Sequence, residues 1–517
     1  MADLSVWIVS ALAGLSLGCF LLLRIRRRQE GEPPVENGWI PYIGCALEFG
    51  ANPLKFLQTR QRKYGDAFTC KIAGNFITFI TDPFSYNSVV RHGKNLNFQA
   101  IALKISKRYC LPQVFNHADF TDAKYGINYE EIHQIFNKTL QGFSLDPLTS
   151  SMMENLQFVM LQDKKSPDSS NWTTESLYAF SYRIMFEAGY LTLFGKNKKA
   201  MKQDNTEKVK AQHVAIQSVM ENFKVFDNVF PALAGGIPLL FFKAAKQSRM
   251  ALAQALSHNN LRQNGNKSQL IEQRMQLFDH SPALDELSKG KTHVTMLWAS
   301  QANTLPATFW SVYYLIRSQE ALQAVKNEIE DLLLVTNQKP GDMNNPIIFT
   351  REQLDSMRAM GSLINESLRL SSASIMLRVA TENFVLTLDT GTNLAVRKGD
   401  QIGLYPQQLH LDPEIYEDPL EFKYNRFLDE NGKEKTTFYK NGRKLKYYLM
   451  PFGSGVSMCP GRFFAINEIK QCLALLLCYY DMELLDATAP TPALDNSRAG
   501  FGILQPSHDV LFRYRMK

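Results

Sequence analysis

The chain has 517 residues, of which 45% are hydrophobic and 21% are charged; these are ordinary values for a globular protein, and they exclude a disordered chain and a collagen. Its 7 cysteines are too few for a disulfide scaffold. The net charge of +7 is small for this length, so we expect no nucleic-acid partner.

Residues 1–28 are predicted to form a membrane anchor with a basic end. Residues 4–23 carry no charged side chain and are mostly apolar, which is about the length that a helix needs to cross a bilayer. Four arginines follow between residues 24 and 28, and positive charge favours the cytosolic side of a membrane. The rest of the chain is therefore expected in the cytosol. The alternative, a buried core helix, fits poorly with a terminal segment that ends in arginines.

Residues 29–50 are predicted to be a proline-rich linker, because proline fixes its own φ and stiffens the chain. Residues 51–517 are predicted to form one large catalytic domain that is mainly α with a small β part. Apolar residues at helical spacing dominate from about residue 50 to 370, for example at 252–261, 293–317 and 321–334.

The C-terminal third combines helices with a strand-rich insert. Thr350-Arg-Glu-Gln353 is a capping box and predicts a helix that runs to about Leu370. Alternating apolar residues at 384–388 and 393–396 predict two strands. Residues 410–446 are predicted to be ordered loop, and a last helix is predicted at about 462–480.

The strongest chemical signal surrounds Cys459. Three glycines flank this cysteine, and a helix is predicted to begin directly after it. Glycine permits close backbone approach, and a helix N-terminus stabilises a thiolate. No second cysteine or histidine stands at zinc-ligand spacing, so the residues alone leave two interpretations open, a thiolate ligand to haem iron and a buried structural cysteine. A dinucleotide-binding loop is not supported, because Met458 stands where that motif needs glycine.

The segment Phe452-x-x-Gly455-x-x-x-Cys459-x-Gly461 resembles the haem-binding loop of the cytochrome P-450, or haem-thiolate, family. The resemblance implies the haem-thiolate monooxygenase fold and haem b as the cofactor. It implies that Cys459 is the axial ligand of the haem iron and a catalytic residue. It also implies that Phe452 and Gly461 contribute to the haem site.

Further positions match structural motifs of that family. Glu366-Ser-Leu-Arg369 resembles its E-x-x-R helix motif, in which the two side chains form a buried pair that a loop arginine completes. The loop arginine corresponds to Arg426. Arg378 matches a strand residue that pairs with a haem propionate.

Two departures leave the propionate partners incomplete. The position two residues before the cysteine is usually basic, and here it is Ser457. The usual tryptophan and arginine of an early helix correspond to Tyr129 and His133. The resemblance therefore implies that propionate binding depends on Arg378 and on other basic residues.

The helix predicted at 293–317 resembles the oxygen-side helix of the family. Pro306 cannot donate to the carbonyl of Ala302, which predicts a kink. The usual acid and threonine of this helix are replaced by Ala302 and Asn303. The amide of Asn303 can donate and accept hydrogen bonds but cannot ionise, so we expect it to order a proton-relaying water and to help orient the substrate.

Asn303 and several longer stretches, such as Ser497-Arg-Ala-Gly500, resemble the sterol hydroxylases of bile acid biosynthesis. The resemblance implies hydroxylation of a sterol, most closely cholesterol at its 7α position, at the endoplasmic reticulum membrane. It implies O2 as co-substrate and electrons from NADPH through a flavoprotein, the NADPH-cytochrome reductase. The alternatives are a related sterol or oxysterol hydroxylase, and a haem isomerase like prostacyclin synthase that needs no reductase. The expected substrate pocket comprises Trp298, Ala299, Asn303, Ser374, Phe501 and Ile503.

A basic loop precedes the cysteine. It is predicted to dock an acidic reductase, because complementary charge steers association. A solvated loop without a partner is the alternative. Its members are Lys433, Lys435, Lys440, Arg443, Lys444 and Lys446.

Overall fold

The computed structural model describes Gly14 and residues 26–98, 101, 127, 129–161, 171–199, 206–340 and 345–517. The apolar segment predicted to be an anchor, residues 4–23, lies outside the described residues except for Gly14. Within the described ranges, no helix combines the length and apolar character that crossing a membrane requires.

Helices dominate the described secondary structure and are numbered here in chain order. They are α1 (Ala46–Ala51), α2 (Pro53–Tyr64), α3 (Tyr86–Val90), α4 (Tyr129–Thr139), α5 (Leu145–Met160), α6 (Leu177–Phe194), α7 (Thr206–Asn228), α8 (Phe230–Ala234), α9 (Lys243–Ala255), α10 (His258–Leu261), α11 (Gln269–Asp279), α12 (Glu286–Gln301), α13 (Thr304–Arg317), α14 (Gln319–Val335), α15 (Arg351–Ser356), α16 (Arg358–Ser371), α17 (Pro406–His410) and α18 (Arg462–Tyr479).

The strands are short. They are β1 (Val35–Glu36), β2 (Ala67–Ile72), β3 (Asn75–Ile80), β4 (Leu96–Asn97), β5 (Thr173–Ser176), β6 (Lys196–Asn197), β7 (Asn264–Gly265), β8 (Met376–Ala380), β9 (Phe384–Thr387), β10 (Asn393–Val396), β11 (Gln401–Leu404), β12 (Tyr439–Lys440), β13 (Arg443–Lys444), β14 (Tyr480–Leu484) and β15 (Leu511–Met516). The largest sheet has the order β1-β2-β3-β11-β8-β4, and a second sheet has the order β14-β15-β5. The described residues therefore have the predicted mainly α architecture with a small β part.

Two local predictions are confirmed. The two strands predicted at 384–388 and 393–396 are present as β9 and β10, which pair antiparallel with Phe384 opposite Val396. Helix α18 begins at Arg462 and ends at Tyr479, one residue from the predicted end.

The capping box at Thr350 is present, but the predicted helix length is wrong. Helix α15 ends at Ser356, and Met357 has a non-helical ψ of 86°. A new helix, α16, then begins, and the carboxylate of Glu328 accepts from the backbone N–H groups of Ala359 and Met360 at 2.7 and 3.0 Å. A side chain from another helix thus supplies the cap that starts α16, which local sequence could not indicate.

Two other predicted segments differ in detail. The helix expected at 252–261 is interrupted after Ala255, and Ser257 caps the short helix that follows by accepting from the N–H of Asn260. The loop expected at 410–446 contains the small hairpin of β12 and β13. Both differences involve short elements that periodicity does not resolve.

The segment after residue 25 packs onto the largest sheet. Val35 and Glu36 pair in parallel with β2. Arg26 is buried and forms ion pairs with Glu32 and Asp400. This arginine of the predicted basic end is therefore engaged with the folded domain.

Helix α13 is the centre of the largest hydrophobic cluster. Its Trp310 is fully buried, and the indole N–H donates to the carbonyl of Leu504 at 2.8 Å. Helix α13 packs against α6, α16 and α18. The helix predicted to line the oxygen side is thus held by the helix that follows Cys459.

Candidate active site

Cys459 lies at the end of a tight loop that leads into α18. Gly455 has a φ of +63°, and a Cβ atom there would stand 2.7 Å from a side-chain methyl of Val90. Glycine is needed at this position, because an L side chain would be strained and would clash. The backbone N–H of Cys459 donates to the carbonyl of Phe452 at 2.9 Å, which closes the loop. The sequence pattern of the loop therefore has a direct structural cause.

The surroundings of the Cys459 thiol act in opposite directions on its pKa. Burial raises the pKa of Cys459, while the backbone N–H groups of Gly461 and Arg462 and the charge of Arg462 lower it. Burial is the larger effect, so the pKa lies above the usual value for cysteine. The backbone N–H groups at the start of α18 thus favour the thiolate as expected, but their effect is smaller than that of burial. A bound metal cation would further favour the ionised form.

Arg378 on β8 is a buried cation next to the cysteine loop. Its guanidinium donates to Ser457 Oγ and lies 3.4 Å from the carbonyl oxygen of Ser454. Within the described ranges it has no carboxylate partner, and burial lowers its pKa. A buried charge without a counter-ion is costly, so this site suits a ligand that brings its own carboxylate. Together with the half-buried Cys459, these residues fit a haem with its propionates.

Glu366, Arg369 and Arg426 meet in one buried cluster. Arg369 donates twice to the Glu366 carboxylate, at 2.7 and 2.8 Å, and Arg426 donates to it at 2.8 Å. Both Glu366 and Arg369 are fully buried. Arg369 also donates to the carbonyls of His410 and Pro419, at 2.6 and 2.7 Å. The cluster therefore fixes the loop of residues 410–426 onto α16.

The predicted kink at Pro306 is confirmed as a break. Helix α12 ends at Gln301 and α13 begins at Thr304, so Ala302 and Asn303 lie between two helices. Pro306 has no N–H to donate to the Ala302 carbonyl, which removes one helical hydrogen bond. Asn303 stands at the cap position of α13, but its side chain does not cap the helix.

The Asn303 side chain instead binds the C-terminal loop. Its Oδ1 accepts from the backbone N–H of Ile503 at 3.0 Å. Ile503 is buried and forms an isolated bridge with Ser372. The structure therefore brings together two residues that were predicted to share a substrate pocket.

Trp298 belongs to a buried polar cluster that sequence reasoning missed. Its indole N–H donates to Asp227 Oδ1 at 2.8 Å, and Arg498 forms an ion pair with the same carboxylate at 2.6 Å. The indole stacks on Phe230 with ring centroids 3.7 Å apart, and Phe501 packs edge-on against Phe230 at 5.8 Å. Asp227 and Arg498 come from distant parts of the chain, so no local pattern could have linked them.

Of the remaining predicted pocket residues, Ala299 shares α12 with Trp298, and Ser374 lies between α16 and β8. Ala299 is exposed on α12. Ser374 is half-buried and forms a bridge with Gly500.

Glu468 on α18 is a second feature that sequence reasoning missed. Its carboxyl is fully enclosed and accepts from Thr304 Oγ1 at 3.1 Å. Burial raises the pKa of Glu468 to about 8, although the hydrogen bond from Thr304 lowers it. The available signal was the group of polar residues Asn467, Glu468, Lys470 and Gln471 in a helix that continues as an apolar run. This contact joins the break between α12 and α13 to the helix that follows Cys459.

The early-helix match at Tyr129 and His133 receives no support from position. His133 is partly exposed on α4, and its Nδ1 lies 3.2 Å from Asn137 Nδ2. The side chain of Tyr129 lies outside the described residues.

The basic loop is only partly available to a partner. Lys440 forms ion pairs with Asp412 and Glu414. Lys444 and Lys446 are exposed, and the Lys446 ammonium donates to Asn87 Oδ1 at 2.7 Å. Met458 and Phe463, which flank the cysteine, are also exposed.

Comparison with known proteins identifies the family. The family described as Cytochrome P450 matches residues 33–512. The chain is 50% identical over 505 residues to Cytochrome P450 7A1 of Oryctolagus cuniculus, covering 97% of each chain. It is 49% identical to the Cholesterol 7-alpha-monooxygenase of Cricetulus griseus, covering 95% of each chain. It is 35% identical to the 7-alpha-hydroxycholest-4-en-3-one 12-alpha-hydroxylase of Homo sapiens, covering 95% of this chain and 94% of the other. The chain therefore belongs to the cytochrome P450 family.

Proposed function

We propose that this protein is a haem-thiolate monooxygenase that hydroxylates cholesterol at the 7α position, in bile acid biosynthesis. The observation that carries the proposal is the identity of 49% with a relative named Cholesterol 7-alpha-monooxygenase over 95% of both chains. The half-buried Cys459 and the buried Arg378 support it, because their arrangement fits a haem.

In this proposal Cys459 ligates the haem iron, and Phe452 and Gly461 line the haem beside it. Haem bound there supplies the chemistry that activates O2 and inserts one of its oxygen atoms into the substrate. Arg378 holds a propionate, since a buried guanidinium without a carboxylate partner in the described residues gains a counter-ion.

The cluster of Glu366, Arg369 and Arg426 has a structural role. It satisfies the main-chain carbonyls of a loop that would otherwise bury unpaired acceptors. That loop leads toward Cys459 and so keeps the ligand in place.

The substrate pocket is proposed to be lined by Trp298, Ala299, Asn303, Ser374, Phe501 and Ile503. These side chains are mostly apolar, which suits a rigid sterol that leaves water on binding. The Trp298 indole N–H is already bound to Asp227, so Trp298 presents mainly its ring to a ligand. Asn303 and Ser374 are the polar members, and the Asn303 amide can bind a hydroxyl group or a water molecule.

Electrons are proposed to come from NADPH through a flavoprotein reductase that docks on the cysteine side. Exposed Lys444 and Lys446 supply positive charge there, and exposed Met458 and Phe463 supply apolar contact area.

The enzyme is proposed to lie at the endoplasmic reticulum membrane, held by residues 1–28. Deletion of residues 2–24 should release the protein from membranes at high salt with its haem content unchanged. Loss of haem on this deletion would contradict an anchor that is separate from the domain.

Reconstitution of the purified protein tests the function. Cholesterol and 7-alpha-hydroxycholest-4-en-3-one are each supplied with O2, with and without reductase and NADPH. The proposal predicts a 7α-hydroxylated product from cholesterol only when reductase and NADPH are both present. Preference for the second sterol would favour a related sterol hydroxylase, and turnover of a peroxide substrate without reductase would favour a haem isomerase. Binding without turnover would contradict an enzyme.

A further inference from the structure

Asn303 directly precedes α13, and its side chain binds outside that helix. A capping side chain accepts from a backbone N–H of the first turn when its own backbone is extended, whereas Asn303 has helical dihedrals, with a φ of −104° and a ψ of −32°. Here the side chain makes no such bond, and its carbonyl oxygen accepts from the N–H of Ile503 at 3.0 Å. The two residues are 200 positions apart in sequence. The contact therefore fixes a side chain of the helix break from outside the helix.

Gly502 makes this contact possible. Its φ is +126°, and a Cβ atom there would stand 2.0 Å from Asn303 Oδ1 and 2.6 Å from its Cγ. Any side chain at residue 502 would push Asn303 away or move the loop. The loop backbone can approach the amide only because residue 502 is glycine.

The loop that donates this bond is itself held on both sides. The N–H of Ala373 donates to the Gly502 carbonyl at 2.8 Å, and the N–H of Leu504 donates to the Ser371 carbonyl at 2.9 Å. The carbonyl of Leu504 in turn accepts from the indole of Trp310. The N–H of Ile503 is therefore presented at a fixed position, and Asn303 must adapt to it.

The fixed carbonyl determines what the rest of the amide can do. A primary amide is planar, so when Oδ1 faces Ile503 the Nδ2 group points away from it. In the described part of the chain, no protein atom accepts from Nδ2. Asn303 therefore presents two N–H donors, with one carbonyl lone pair already occupied.

We propose that Gly502 and Ile503 are positioning residues that hold Asn303 as a hydrogen-bond donor toward the substrate and O2 side of the site. This rests on the proposed function and refines it. It changes the expectation from the sequence, in which Asn303 both accepts and donates. A relay water would accept from Nδ2 and so be held in place while it passes on a proton that it regains from solvent water, and a substrate hydroxyl would bind through its lone pair.

A double-mutant cycle tests the positioning. Gly502→Ala should retain haem and lower the product formed per NADPH by about tenfold, because losing one oriented hydrogen bond has an effect of that order. In an Asn303→Ala background, Gly502→Ala should add less than about a twofold further loss, since the clashing atoms are gone. Gly502→Ala should likewise lower the thermal midpoint of the haem-loaded protein less in the Asn303→Ala background than in the wild type. This second measurement does not depend on turnover.

Gly500→Ala is the matched control. Gly500 has a φ of +95°, and a Cβ there would meet Ile375 at 3.2 Å and not Asn303. Its effects should be the same in the wild-type protein and in the Asn303→Ala variant. The proposal would be overturned if the effects of Gly502→Ala and Asn303→Ala were additive both in the product formed per NADPH, here called coupling, and in the thermal midpoint.

Two isosteric variants test the donor role even if Gly502→Ala does not fold. Asn303→Asp keeps an oxygen for the Ile503 N–H and removes the donor, so it should keep the thermal midpoint and lose coupling. Asn303→Leu removes both the acceptor for the Ile503 N–H and the donor, so it should lower both the thermal midpoint and the coupling. If Asn303→Asp is as well coupled as the wild type, the donor role is wrong. A wild-type protein that does not oxidise cholesterol would instead contradict the proposed function and leave the thermal cycle as the test of positioning.

Discussion

Thr304, the first residue of α13, donates a hydrogen bond of 3.1 Å to the enclosed carboxyl of Glu468 on α18. It joins the break beside Asn303 to the helix that begins after Cys459. Burial raises the pKa of Glu468 to about 8, so the folded protein holds this group mainly as a neutral acid at neutral pH. The hydrogen bond that joins the start of α13 to α18 therefore involves a neutral carboxyl group.

The stability of the protein should depend on pH through Glu468. From the ordinary value of 4.5 up to about 8, the folded state keeps a proton that the unfolded chain loses. The free energy of unfolding therefore falls as pH rises through this range. Glu468→Gln keeps a neutral group and should raise the free energy of unfolding at the upper end by on the order of 1–3 kcal/mol.

Thermal midpoints at several pH values check this. Glu320→Gln, at an exposed position at the start of α14, is the control and should leave the pH profile unchanged. A Glu468→Gln profile that falls with pH as steeply as the wild type would show that this carboxyl is not the cause.

Cys459→Ala should abolish the red-shifted absorption band of the reduced carbon monoxide complex, because that band depends on a thiolate ligand to the haem iron. Cys472→Ala is a matched control, since Cys472 is a buried free cysteine on α18 and should be dispensable for the band. A folded Cys459→Ala protein that keeps the band would contradict the assignment.

Glu366→Ala should give little haem-loaded protein. Removal of one partner of a buried ion pair costs about 3–5 kcal/mol, and here two arginines would lose their carboxylate. The haem content per protein after purification measures the effect. Glu417→Ala is the control, because the Glu417 side chain is exposed and Arg426 contacts only its backbone carbonyl. Normal haem loading of Glu366→Ala would show that the cluster is dispensable.

Reversal of Lys444 and Lys446 to glutamate should raise the apparent KM for reductase by roughly three- to tenfold at low salt and weaken its salt dependence. Replacement of both by glutamine should have an intermediate effect, since it removes the attraction without adding repulsion. The spectral response to sterol should be unchanged in all variants. Reductase kinetics that do not respond at low salt would favour a solvated loop.

Local features of the site were predictable because their causes are local. The spacing of Glu366 and Arg369 places them on one helix face, and Pro306 predicts a kink near Ala302, where the structure has a break between two helices. The contacts that orient the site were not predictable, because they join distant segments. Glu328 caps α16, Asp227 binds both Trp298 and Arg498, and Ile503 holds Asn303.

The most direct test of 7α-monooxygenation follows the oxygen atom. The purified protein, with reductase and NADPH, is given cholesterol under O2 labelled with the heavy isotope of oxygen, and the product is examined by mass spectrometry. We expect one labelled oxygen atom per product molecule, located at the 7α position. A product whose new oxygen is unlabelled, or which forms equally well without reductase, would contradict a monooxygenase.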